Sequence, residues 1–341
     1  ALAGTEQAER AYLTALEIDP QLHEAHHNLG KILENKGHLD DAECHLYEAV
    51  QLAPSSCQSN FSLGRILMKL EKFVEAVNFF QKAQRIEPEN AVILNGLAFA
   101  LEKAERLDDA IKFYKQSIKL EPNELATLSN LGHALHASGR AREAVVYLEK
   151  CIKIDPENQM NWDRYLFALI FSETSDREVI FKENKRWAED LEKKISSSVD
   201  FSNFSHNPNK KIKIGYYSKE FYSHVTSFFF ETLLRYHNRD LFEIYCYYDY
   251  IAPDEVTADL EQRSDFWRTV AGLEPHQIAE QIRSDDIDLF VGTTNFLPSN
   301  RIVSAYQPAP IIISYMNQVS STGLSNVDYL ITDHNISPVD T

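Results

Sequence analysis

Hydrophobic positions in the first half of the chain return at a fixed interval. Pro20, Pro54, Pro88, Pro122 and Pro156 are spaced 34 residues apart and close similar phrases, LEIDP, VQLAP, QRIEP, IKLEP and CIKIDP. Other columns keep the same period. They are Ala42, Ala76, Ala110 and Ala144; Leu29, Leu63, Leu97 and Leu131; and a large apolar set of Tyr12, Leu46, Phe80, Tyr114 and Leu148. Gly30, Gly64, Ala98 and Gly132 form a small-residue column. Small residues let two helices approach, large ones fill the space between them, and proline stops the second helix. The pattern predicts helix pairs stacked over residues 1 to about 158.

The period is lost after Pro156. MNWDRYLFALIF and DREVIFKENKRWAEDLEKK read as two connector helices, with Trp187, Leu191 and Ile195 as apolar positions expected to pack the array against the next domain. SSSVDFSNFSHNPNKK has linker composition, which puts a boundary near residue 209. From 210 onward, apolar runs of four to six residues alternate with helical segments: IKIGYY, FEIYCYY, FWRTV, IDLFV, PIIISY and YLITD. That alternation predicts a mostly parallel sheet, whose ligands bind beyond the carboxyl ends of the strands. The loops to inspect are 217–226, 292–301 and 315–323.

Composition narrows the classes. A net charge of −17 disfavours nucleic acid and anionic membranes as partners, and no apolar run is long enough for a membrane span. Cys44, Cys57, Cys151 and Cys246 are scattered, so a reducing compartment and buried, unpaired thiols are expected. The chain opens on Ala1 inside a repeat and is expected to be a fragment. No dinucleotide fingerprint, P-loop, zinc-type spacing or nucleophile elbow occurs. His224 remains as the chemical candidate. It follows the first strand and precedes a helix with Thr226 or Ser227 as candidate N-caps, so an imidazole would stand beside free backbone donors and a positive helix end. That setting suits a general base or an anionic ligand; a solvated or structural histidine is the alternative.

The 34-residue period resembles the tetratricopeptide repeat, whose stacked helix pairs offer a concave face to extended peptides. With KIKIGYYSKEFYSHVTSFF, RDLFEIYCYYD, PDEVTADL, NRIVSAYQPAPI, STGL and VDYLITD, the chain as a whole resembles glycosyltransferase family 41. These are the O-linked N-acetylglucosamine transferases and their Spindly-type O-fucosyltransferase relatives. The resemblance implies an α superhelix of repeats (1–158), a connector (159–209) and the Rossmann-like first lobe of a GT-B fold (210–341). The second lobe, with the main nucleotide-binding residues, is expected beyond Thr341. It implies sugar transfer from a UDP- or GDP-sugar, UDP-N-acetylglucosamine first, to Ser or Thr of cytoplasmic proteins held by the repeats, without a metal. His224 matches the family's active-site histidine, and Asp285 stands near an acidic residue thought to assist proton transfer. Asn28 and Asn130 match a peptide-gripping asparagine ladder that Ser62 and Gly96 interrupt.

Two loops depart from the family pattern. Asn295, Phe296 and Leu297 stand in the donor-side loop where Gly-His-Thr or Gly-Tyr-Thr is usual, and NQVSSTG replaces a glycine-rich loop, of which Thr322 and Gly323 remain. Three readings stay open: a protein O-glycosyltransferase, a catalytically degenerate repeat scaffold, or family chemistry with another donor.

Overall fold

The computed structural model describes residues 2–173, 176–195, 199–201, 210–293, 298–315 and 321–331. The chain divides into two compact units, Ala1–Asp155 and Pro156–Thr341. The first contains nine helices among the described residues: α1 Leu2–Ile18, α2 His23–Lys36, α3 Leu39–Leu52, α4 Cys57–Lys69, α5 Phe73–Ile86, α6 Ala91–Lys103, α7 Leu107–Leu120, α8 Leu125–Ala137 and α9 Ala141–Ile154. Each proline follows a helix end by two residues. The residue before it (Ala53, Glu87, Glu121, Asp155) leaves the helical region, at φ −126 to −135° and ψ 76 to 85°, because the proline ring disfavours that region one residue upstream.

The small and large columns meet as the sequence predicts. A Cβ on Gly132 would lie 2.5 Å from Leu148, one on Gly64 3.0 Å from the Phe80 ring, and one on Gly30 2.6 Å from Leu46. Leu46, Leu148 and Tyr114 are fully buried, and the Tyr114 hydroxyl donates to Glu102 Oε2 at 2.8 Å. Glu34, 6% exposed, joins α2 to α4 by accepting from Arg65 (2.7 Å) and pairing with Lys69 (2.8 Å). The turns inside the repeats need a left-handed residue at one position: Gly37 and Gly139 fill it in two repeats, Glu71 (φ 59°) and Glu105 (φ 61°) in the others.

The second unit begins with α10 Gln159–Ile170 and α11 Arg177–Lys194. The connector helices thus belong to the same compact unit as the sheet. Trp187 is buried there, its ring 5.6 Å from the Arg301 guanidinium and its Nε1 donating to Gln159. Then come β1 Ile212–Ser218, α12 Val225–Tyr236, β2 Phe242–Tyr248, α13 Glu255–Arg263, β3 Phe266–Thr269, α14 Pro275–Ser284, β4 Leu289–Thr293, α15 Pro298–Ala305, β5 Ile311–Tyr315 and β6 Tyr329–Ile331. All pairings are parallel, in the order β3-β2-β1-β4-β5-β6. Alternate residues of each strand serve opposite faces. Ile214, Tyr216, Ile244 and Cys246 pack with Phe230, Leu234 and Leu260 from α12 and α13. Tyr217, Tyr247, Phe290 and Ile312 pack with Ile278, Ile282 and Val303 from α14 and α15. Of the cysteines, Cys151 and Cys246 are buried and Cys57 partly so, whereas Cys44 is exposed.

Candidate active site

The strand order reverses between β1 and β4, so the crevice beyond their carboxyl ends is where ligands of an open parallel sheet bind. The loop after β1, at the carboxyl end of that strand, is held under tight restraint. Ser227 Oγ donates to the carbonyls of Glu220 (2.7 Å) and Tyr222 (2.6 Å), Thr257 Oγ1 donates to Phe221 O (2.7 Å), and Asp254 accepts from Ser223 N (2.7 Å). Asp254 also caps α13 through Thr257 N, and these backbone donors hold its carboxyl below the usual range. Tyr222 stacks on Tyr250, ring centroids 5.0 Å apart.

His224 sits at the end of this loop and is itself the N-cap of α12. Its backbone is extended (φ −139°, ψ 154°), and Nδ1 lies 3.3 Å from Thr226 N and 3.0 Å from Thr226 Oγ1. Thr226 and Ser227, the expected caps, instead follow it in the first turn, where their hydroxyls are taken by Glu220 Oε2 (2.8 Å) and by the loop carbonyls. Glu220 Oε2 lies 3.4 Å from His224 Nδ1. Nε2 makes no hydrogen bond among the described residues, and the side chain is 36% exposed. The ring lines a cleft of about 260 Å³ with Ser223, Ser227, Phe228, Glu231, Val256 and Asp259. An imidazole nitrogen open to a cleft, on a rigid loop, is equipped to accept a proton from a bound hydroxyl.

Nearby at the same sheet edge, Tyr217 donates to Asp249 Oδ2 (2.7 Å), and Lys219 Nζ is 3.9 Å from that carboxylate. Burial raises the Asp249 carboxyl, against the hydrogen bond from Tyr217. Thr293, at the end of β4, ties back to Tyr217 O at 3.0 Å. Asp163 of α10 accepts from Ser299 N (2.8 Å) in the first turn of α15, and burial raises its carboxyl too. The sequence reading missed Glu220, Asp249 and Asp163. The Asp254–Thr257 capping box is a local pattern that could have marked this neighbourhood.

Asp285 lies at the other end of the sheet from the His224 loop. It is the C-cap of α14, before β4, and its carbonyl accepts from Lys213 Nζ (2.8 Å) at the start of β1. Lys213 and Ser218 stand at opposite ends of that strand, roughly 17 Å apart at about 3.3 Å per residue. The carboxylate is held by Tyr247 (2.8 Å) and Arg268 (3.2 Å), and the pairing raises Arg268 further.

Thr322 and Gly323 face the connector helix. Thr322 O accepts from Arg301 Nη1 at 3.0 Å, and the same nitrogen donates to Asn184 Oδ1 of α11 at 2.5 Å. Arg301 is fully buried, and burial brings its guanidinium down to about 9, partly offset by Asp163. Gly323 has φ +77°, and a Cβ there would lie 2.6 Å from the Asn184 carbonyl carbon. Its glycine requirement therefore comes from packing on α11. Asn295, Phe296 and the 317–320 stretch lie outside the described residues. Of the loop expected at 292–301, residues 298–301 are the start of α15.

In the repeats, Asn28 and Asn130 are half-buried on α2 and α8, in the same column as Ser62 and Gly96. At Gly96 the interruption has a steric cause: a Cβ there would meet Phe80 at 3.0 Å and Phe61 at 3.3 Å, two rings packed edge to face. Among the described residues, no three His, Cys, Asp or Glu side chains converge as a metal site, and no helix is long and apolar enough to cross a membrane.

Comparison with known proteins agrees with this layout. Residues 188–341 match the glycosyl transferase family 41 model, and residues 11–43, 58–90 and 89–157 match tetratricopeptide repeat models. A probable UDP-N-acetylglucosamine–peptide N-acetylglucosaminyltransferase SPINDLY from Arabidopsis thaliana is 31% identical over 140 residues, 40% of this chain and 15% of that protein. The probable transferase SEC from the same plant is 32% identical over 133 residues, 38% of this chain and 14% of that protein. The chain thus spans a small part of these curated relatives. A mutant of Thermobaculum terrenum O-GlcNAc transferase shares the fold over 81% of this chain and 53% of that one, with a TM-score of 0.61 and 24% identity. Over residues 188–341, behind its tetratricopeptide repeats, the chain is similar to glycosyl transferase family 41.

Proposed function

We propose that this chain is the acceptor-side portion of a cytoplasmic protein O-glycosyltransferase, with His224 as the general base. The observation that carries the reading is the family 41 match over residues 188–341, a stretch in which the His224 imidazole, after β1, lines a cleft between α12 and α13. In the reaction, Nε2 takes the proton of a Ser or Thr hydroxyl. The freed oxygen bonds to the anomeric carbon, and the bond from that carbon to the diphosphate breaks. The nucleoside diphosphate leaves with the bonding electrons. The described cleft carries Glu231, Glu255 and Asp259, so it suits the neutral acceptor hydroxyl better than a diphosphate. The donor, UDP-N-acetylglucosamine by the relatives' names and GDP-fucose as the alternative, would be held by other parts of the protein. The repeats, with Asn28 and Asn130, would hold the acceptor protein.

A non-catalytic scaffold is the second reading, favoured by the use of Thr322 and Gly323 in packing against α11. Incubating the protein that carries this chain with a peptide pool and each donor, beside His224→Ala, separates the two. Transfer lost in the variant supports the base. No transfer by folded wild-type protein with any donor favours the scaffold.

A further inference from the structure

We propose that Glu220, acting through Thr226, holds the His224 ring in the tautomer with its proton on Nδ1, leaving Nε2 bare toward the cleft. The catalytic meaning of this relay rests on the reading of His224 as the base; the tautomer itself does not. Thr226 Oγ1 lies 2.8 Å from Glu220 Oε2, and an ionised carboxylate only accepts, so the hydroxyl proton points to Glu220. The hydroxyl oxygen then offers only lone pairs to Nδ1, at 3.0 Å. Glu220 Oε2 itself is 3.4 Å from Nδ1. A bare Nδ1 would face two electron-rich oxygens, whereas a proton there makes both contacts attractive.

The helix end opposes this arrangement. Thr226 N–H also points at Nδ1, at the longer distance of 3.3 Å, and favours a bare nitrogen there. A helix terminus carries roughly half an elementary charge, against the full charge of Glu220, so the carboxylate prevails. Other charges do not reverse the balance. Glu231 and Asp259, on α12 and α13, share Arg263, at 3.6 and 2.6 Å. Glu255 lines the same cleft, and Asp254 is turned to Ser223 N and Thr257 N. Among the described residues, Glu220 is the one carboxylate within ion-pair distance of the ring. Thr226 and Glu220 are thus positioning residues: without them the imidazole reverts to an ordinary N-cap with its proton on Nε2, where it has no lone pair for a substrate hydroxyl.

Long-range nitrogen–proton correlation spectra of the histidine-labelled chain read the tautomer directly, with His224→Ala assigning the signal. The expected wild-type pattern is Nδ1–H at His224. Glu220→Gln and Thr226→Val should move the majority to Nε2–H, Thr226→Ser should restore Nδ1–H, and the other histidine signals should stay in place. A wild-type ring mainly protonated on Nε2, or an unchanged ring in both Glu220→Gln and Thr226→Val, overturns the assignment. In transfer-competent protein, Glu220→Gln should lower kcat about tenfold or more with KM unchanged, and Thr226→Ser should stay near wild type. An unchanged kcat in Glu220→Gln overturns the catalytic half of the proposal. Full transfer by His224→Ala beside the expected spectra would instead remove the proposed function and leave the tautomer assignment standing.

Discussion

Gly323→Ala tests how firmly the loop after β5 is locked to the connector helix. A Cβ at this position would lie 2.6 Å from the Asn184 carbonyl carbon, 2.9 Å from Lys185 N and closer still to Asn184 O, all of them helix backbone that has little room to yield. The backbone is also left-handed, at φ +77°. The conformation costs alanine about 1 kcal/mol, and relieving the overlap costs about 1–3 kcal/mol more. The expected loss is therefore about 2–4 kcal/mol. Gly272→Ala is the internal control, since its φ is +85° and nothing lies within 4 Å of the added Cβ; it should lose about 1 kcal/mol. Denaturant unfolding followed by tryptophan fluorescence suits the measurement, because Trp162, Trp187 and Trp267 all lie in the second unit. Trp187 is one turn beyond Asn184. Equal losses for the two variants would refute the packing argument.

The repeats carry further expected outcomes. Glu71→Gly and Glu105→Gly, at exposed left-handed positions, should each raise stability by roughly 0.5–1 kcal/mol, read as a higher denaturant midpoint by far-ultraviolet circular dichroism. Leu148→Ala, which empties the space that Gly132 leaves for a large side chain, should cost about 2–5 kcal/mol in the same assay. Burial lowers the pKa of His27, His45 and His136 below 6.5, so the unfolded chain binds protons that the folded array does not. The stability these groups contribute is complete above about pH 6.5 and declines as the pH falls toward their folded values. The midpoint should therefore drop between about pH 7.5 and about pH 5.5, and less so in His136→Asn.

The repeats were legible because their constraint is local and recurrent: a proline, a small residue and a large one return every 34 positions. The parallel sheet was legible from its apolar runs. α15 was not, because PSNRIVSA carries loop-like residues and its first turn is capped by Asp163, far away in the chain. The position of Asp285 was partly legible: a residue that precedes a parallel strand lies at the amino edge, away from a loop that follows one. His224 was found as a candidate, but its place as the N-cap residue of α12 was hidden, since histidine is unusual there, and so was its partner Glu220, four residues upstream. The roles of Thr322 and Gly323 depend on Asn184 and Arg301, contacts that no local pattern encodes.

The most direct test is sugar transfer to a peptide pool by the protein that carries this chain, measured beside His224→Ala under single-turnover conditions. The loss expected for a positioned base is roughly 100- to 10,000-fold in the variant, with the second unit still folded by tryptophan fluorescence. Equal transfer by both proteins would contradict the assignment of His224 as the base.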